Sequence, residues 1–124
     1  FNDIVDANPR ETYAYLVEQL QDLHLAYLHV ALFGAKVDYH DILHPRFNGA
    51  YLVGGDLDQK SAEAALADGL ADAAVFGRAF LANPDLPERF RQGAPLNTPD
   101  QSTFYSPGAQ GYTDYPLLSG TSAA

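Results

Sequence analysis

Two short apolar runs, each ending in glycine and each preceded by a segment of helical periodicity, constrain this chain more than any other feature. Val53-Gly54-Gly55 closes one run and Phe76-Gly77-Arg78 closes the next. Upstream, Asn8-Pro9-Arg10-Glu11 reads as a helix start, with Asn8 as N-cap, Pro9 at the first helical position and Glu11 able to reach back to the cap. Tyr13, Leu16, Leu20 and Leu23 recur at helical spacing and place one apolar stripe on a helix running to about His24. Residues 25–32 are nearly continuous in apolar character, as in a strand covered on both faces.

Residues 34–48 read as a loop with a short helix around Tyr39 to Leu43, stopped by Pro45. Residues 49–53 form a second strand that runs into Gly54-Gly55. Asp58 is placed to cap a helix through Leu66, with Ala62, Ala65 and Leu66 inward and Gly69 where a left-handed C-terminal residue is wanted. Ala73-Ala74-Val75-Phe76 is a third strand. Helices alternating with short apolar strands imply parallel pairing through right-handed crossovers, hence an α/β fold. Asn83-Pro84 breaks the pattern, and Pro87 to Gln92 suits a short helix closed by Gly93. Residues 95–124, rich in Pro, Gly, Ser and Tyr, are either a structured surface segment or a frayed one.

Composition excludes several classes of function. Sixteen acidic against seven basic residues give a formal net charge of -9, which disfavours nucleic acid and anionic lipid, since both call for clustered Lys and Arg. Any phosphate held here has to be held locally. The hydrophobic content of 47% is enough for a core. No apolar run approaches the roughly 20 residues of a membrane span. Cys is absent, so neither a disulfide framework nor a cysteine zinc site is available, and a reducing cytosol fits. Met is absent and the first residue is Phe1, which points to a portion of something longer.

The paired glycine turns carry the chemistry. Glycines at strand ends let a phosphate approach backbone amides, and loops after late strands of an α/β barrel are a common phosphate site. Arg78 adds a charge-assisted, two-pronged donor. The same glycines can also serve only as tight strand-to-helix turns. His40 and His44 lie four apart, a spacing compatible with metal ligation, but no third ligand is evident and two surface histidines are the preferred reading. His29, inside an apolar strand, reads as a hydrogen-bonded core residue. Ser61 and Ser102 have no paired base and read as helix-turn and loop residues.

The stretch GGDLDQKSAEAALADGLADAAVFGRAFLANPDLPERFRQGAPLN, followed by TFYSPGAQGYTDYP, resembles the C-terminal part of the old yellow enzyme family, and FNDIVDANPRETYAYLVEQLQDLHLAYLHV is similar to that family's sixth helix-and-strand region. The resemblance spans nearly all of 1–124 and is weakest from Ala31 to Asn48. It implies a TIM (β/α)8 barrel that holds flavin mononucleotide (FMN), with the present strands as the sixth to eighth. On this resemblance Gly54 and Gly55 lie against the FMN phosphate, and Gly77 with Arg78 makes a second phosphate contact. Tyr105 then stands beside the flavin and the substrate pocket; the plainer reading of Tyr105 is a buried aromatic. Asp56 and the Ala31-Leu32-Phe33 turn depart from the family pattern. A carboxylate near phosphate weakens binding unless it points away.

The family's activity is a relay in which NADPH or NADH reduces FMN and an activated alkene is then reduced. The resemblance places the residues that polarise and protonate the substrate upstream of Phe1, so no catalytic residue and no metal ligand is assigned here. Three strands cannot close a barrel of roughly 250 residues. Open edges and an exposed barrel interior are therefore expected, together with a partner: the missing N-terminal barrel part as another chain, another copy or a further stretch of chain. The competing readings are a non-catalytic barrel fragment or assembly module that binds no flavin, and a sugar-phosphate barrel, which lacks the TFYSPGAQGYTDYP motif.

Overall fold

The computed structural model describes residues 5–34 and 37–118. Two compact units divide the chain, Phe1–Val75 and Phe76–Ala124. In the first, the order is α1 (Pro9–Leu20), β1 (Tyr27–Leu32), α2 (His40–Leu43), β2 (Ala50–Gly55), α3 (Gln59–Ala67) and β3 (Ala73–Ala74). The strands form one parallel sheet in the order β1-β2-β3. This is the arrangement that alternation of helical and apolar segments dictates, because parallel neighbours require a crossover between them.

The strand register sorts the side chains into two faces. Leu28 and Val30 of β1 share a face with Tyr51 and Val53 of β2. There they join Val17, Leu43, Phe47, Ala65 and Ala71 in the core. Tyr27, His29 and Ala31 point to the opposite face and are exposed. The strand expected to be covered on both faces is, among the described residues, covered on one: Leu28 and Val30 join the core while Tyr27, His29 and Ala31 are exposed. β3 is shorter than expected, with ladder geometry ending at Ala74, although the Val75 amide still donates to the Val53 carbonyl at 2.8 Å. Asp72 fixes the register of β2 against β3, since its carboxylate accepts from Tyr51 N at 2.7 Å while its own amide donates to Tyr51 O at 2.8 Å.

Capping differs between the two longer helices. α3 has the full reciprocal box: Asp58 accepts from Ser61 N at 2.8 Å, and Ser61 Oγ accepts from Asp58 N at 3.0 Å. Ser61 is therefore half of a cap, not a passive helix-turn residue. At α1, Asn8 stands at the N-cap without a side-chain cap bond, so the expected Asn8–Glu11 box does not form. Its amide instead donates to Asp6. Along α3, Ala62 and Ala65 are inward as expected, but Leu66 is 43% exposed. Gly69 is left-handed at φ +70°.

The second unit contains α4 (Arg78–Ala82), α5 (Leu86–Gln92) and a 3-10 turn at Gln101–Thr103. Gly93 ends α5 with φ 60°. Ala82 and Leu86 are buried and Phe76 stacks edge-on against Phe90. The segment from 95 to 118 is a structured one, tied by side-chain bonds described below. Among the described residues no helix is long and apolar enough to cross a membrane.

Candidate functional site

The two glycines of the first turn lie inside β2, paired with Ala31 and Leu32, and not beyond its end. Gly55 is dictated by the chain itself. It has φ +112°, and a Cβ there would sit 2.7 Å from the carbonyl carbon of Leu32 on the neighbouring strand. Gly54 is a milder case: a Cβ would approach His29 Nε2 to 2.6 Å, but that atom ends an exposed side chain that can swing away. His29 is therefore not a buried core residue, because strand alternation puts it on the open face, where its ring lies over Gly54. Asp56, the local objection to an anion, is turned to β1: its Oδ2 accepts from Gly34 N at 2.9 Å.

Gly77 is a contrasting case. Its φ is -90°, outside the left-handed region, and nothing lies within 4 Å of its would-be Cβ. Arg78 follows as the first residue of α4 and is exposed. Tyr105 is 96% exposed and adopts φ 62°. That disposes of the buried-aromatic reading, and a left-handed non-glycine residue persists only where its surroundings hold it. The hold is visible, since the Tyr105 amide donates to Tyr112 Oη at 2.7 Å.

The histidine pair turns out to be part of the scaffold. His40 Nδ1 lies 2.8 Å from Tyr51 Oη and His44 packs on the same ring at a 4.9 Å centroid distance. Both are half-buried, so the expectation of two surface histidines is corrected: the turn at Pro45 folds them back onto β2. Burial lowers the His40 pKa and raises that of Tyr51, which keeps both neutral near pH 7. Among the described residues no group of three or more potential ligands gathers for a metal. A cavity of about 670 Å³ lies between α1 and the edge strand β1, lined by Tyr13, Leu16, Leu20, Leu28 and Val30 among others. The stripe on α1 faces this hollow and leaves Tyr13 and Leu16 nearly half exposed.

Sequence reasoning missed one cluster altogether. In the second unit Asp85, Arg89, Asn83 and Asn97 bond to the backbone of the C-terminal segment. The i,i+4 spacing of Asp85 and Arg89 was the available signal.

Comparison with known proteins bears on the chain as a whole. No family model matches the chain. A curated protein from Oryza sativa subsp. japonica, putative 12-oxophytodienoate reductase 6, is 40% identical over 128 residues, covering 95% of this chain. Putative 12-oxophytodienoate reductase 10 of the same organism is 56% identical over 73 residues, 58% of this chain and 23% of that protein. The structure of morphinone reductase in complex with tetrahydroNAD superimposes with a TM-score of 0.85 at 45% identity, covering 94% of this chain and 32% of that one. The old yellow enzyme from Trypanosoma cruzi gives 0.84 at 33% identity, covering 91% of this chain and 31% of that one. The chain belongs to the old yellow enzyme family. It matches the C-terminal part of those proteins and spans about a third of their length, 33% of putative 12-oxophytodienoate reductase 6. The fold of an old yellow enzyme is a TIM barrel, and the open parallel sheet with its helices is a partial one, as the sequence implied.

Proposed function

We propose that the chain supplies the FMN phosphate grip of a flavin-dependent ene-reductase, an oxidoreductase that draws hydride from NADPH or NADH and reduces activated C=C bonds such as enones, enals and maleimides. The observation that carries this reading is Gly77. A Cβ at Gly55 would collide with the Leu32 backbone, whereas one at Gly77 would meet no atom of the described residues. A glycine with open space above it, followed by an exposed arginine, suits an anion that comes close to backbone.

Each unit, taken by itself, offers residues that suit the group. Gly54 and Gly55 offer backbone without side-chain bulk at the end of β2, and Gly77 offers the same ahead of α4. Arg78 adds the positive charge that a chain of net charge -9 has to supply locally. Asp56 does not oppose this, because its carboxylate is engaged with Gly34. Tyr105, exposed on a held backbone, presents an aromatic face to a flavin edge or a planar enone. When bound, FMN supplies the hydride chemistry. This chain's residues bind and orient, and none is assigned a proton-transfer role.

The remainder of the barrel is the proposed partner, as another chain, another copy or further polypeptide. Its support is the uncovered sheet face at Tyr27, His29 and Ala31 and the apolar hollow beside β1. The visible spectrum tests the functional reading. Yellow protein that bleaches under anaerobic NADPH and recovers with cyclohexenone is the expected result. Colourless protein that takes up no added FMN refutes it and favours a non-catalytic barrel piece.

A further inference from the structure

The second unit holds a buried ion pair that the flavin reading does not use. Arg89 is 4% exposed. Its Nε donates to Asp85 Oδ1 at 2.7 Å, its Nη1 to Pro95 O at 2.6 Å and its Nη2 to Pro116 O at 2.9 Å. One guanidinium thus takes a carbonyl from each end of a long loop. The second oxygen of Asp85 accepts from Leu118 N at 2.6 Å, just past the far end. Asn97 repeats the closure: its amide nitrogen Nδ2 donates to Ala82 O and to Pro116 O, both at 2.8 Å, while its backbone N–H donates to buried Asn83.

Inside the loop the backbone is tied again. Asp100 N donates to Tyr115 Oη, Gly111 N to Asp114 Oδ1, and Tyr105 N to Tyr112 Oη. Gly111 sits so close to Thr103 that any side chain would collide with it. The Tyr105 ring, by contrast, is almost fully exposed. Its position is set by a strained backbone residue and not by packing of the ring, so whatever holds the loop ends holds the ring.

We propose that Asp85 and Arg89 form a clasp that closes residues 95–118 into one loop and so positions the Tyr105 ring; both are positioning residues. The consequence for a flavin or alkene rests on the function proposed above, but the clasp itself does not. Lysine cannot replace Arg89, because a single ammonium lacks the planar fork that reaches a carboxylate and two carbonyls together. Loss of either partner leaves a buried charge uncompensated.

The chain has no Trp, so Tyr105→Trp creates a single reporter on the loop. Fluorescence anisotropy and amide hydrogen exchange of the full chain are measured in this background with Arg89→Lys and, as the milder change, Asp85→Asn. The expected result is lower anisotropy and exchange in residues 97–116 faster by on the order of tenfold, with amides of α5 and of residues 5–75 unchanged. Unchanged anisotropy overturns the clasp. Faster exchange throughout the unit in both variants overturns it too, because the pair is then general scaffolding. In flavin-loaded protein completed by the rest of the barrel, Arg89→Lys should raise the KM for cyclohexenone while leaving flavin reduction by NADPH unaltered, and this effect should vanish in a Tyr105→Ala background. Full additivity of the two changes refutes positioning. A wild-type chain that binds no flavin refutes the functional reading alone, since the anisotropy result still decides the clasp.

Discussion

Alanine at Gly55 and at Gly77 should behave in opposite ways, and the contrast follows from geometry. At Gly55 the φ of +112° is one that alanine adopts only with strain, about 1–3 kcal/mol. The new Cβ would also lie 2.7 Å from Leu32 C and 2.9 Å from Leu32 N. Those atoms belong to the paired backbone of β1 and not to the end of a flexible side chain, so β1 and β2 have to part locally and weaken ladder bonds. The total loss is about 3–5 kcal/mol, a large share of the ~5–15 kcal/mol that stabilises a typical domain. For a chain of this size that lowers Tm by roughly 10–20 °C. At Gly77 the φ is -90° and the space is open. Stability should fall much less than at Gly55, by about 1 kcal/mol or less, because no neighbouring atom has to move. FMN affinity should nevertheless fall by about 1–3 kcal/mol if a phosphate approaches that backbone. Thermal melting by circular dichroism and FMN titration by flavin fluorescence separate the two. A Gly77→Ala protein that melts like wild type and binds FMN equally well would falsify the phosphate role of Gly77, and a Gly55→Ala protein with an unshifted Tm would refute the steric account of β2.

Further outcomes are open to direct measurement. Arg78→Ala should weaken FMN by about 1–3 kcal/mol through loss of one charged contact; unchanged affinity in the same titration removes Arg78 from the site. Gly54→Ala should cost little, about 1 kcal/mol or less, because the obstruction is the end of the exposed His29 side chain, which can rotate away; a urea midpoint lowered as far as in Gly55→Ala would contradict this. His40 has a pKa lowered mainly by burial, so its contribution is complete above the ordinary value of ~6.5 and is lost as pH falls through the lower folded value. Urea midpoints should decline below pH ~6.5, and His40→Gln should flatten that part of the profile. Asp85 is held below the usual carboxylate range first by its bond to Arg89 and then by the Leu118 amide, so the C-terminal loop should stay closed down to pH ~4 and loosen only below it. Hydrogen exchange of residues 97–116 that already accelerates at pH 5.5 would count against the clasp.

The sequence alone determined the order of helices and strands, their parallel pairing and the family. Periodicity, the Asp58 cap and the glycine stops at Gly69 and Gly93 act over a few residues, so local pattern suffices to read them. The family motifs likewise lie in continuous stretches. What lay beyond reach depends on which distant groups meet. The structure alone showed that His29 lies over Gly54 and that the Leu32 backbone leaves no room for a side chain at Gly55, because strand register decides which atoms face a missing Cβ. It turned His29 outward, folded His40 and His44 onto Tyr51, and left Tyr105 bare on a left-handed backbone. It also joined Asp85 and Arg89 to carbonyls at both ends of a loop, a link invisible in sequence because the acceptors are backbone atoms that carry no residue identity. Gly77, whose would-be Cβ faces open space among the described residues, is the position at which a ligand is proposed.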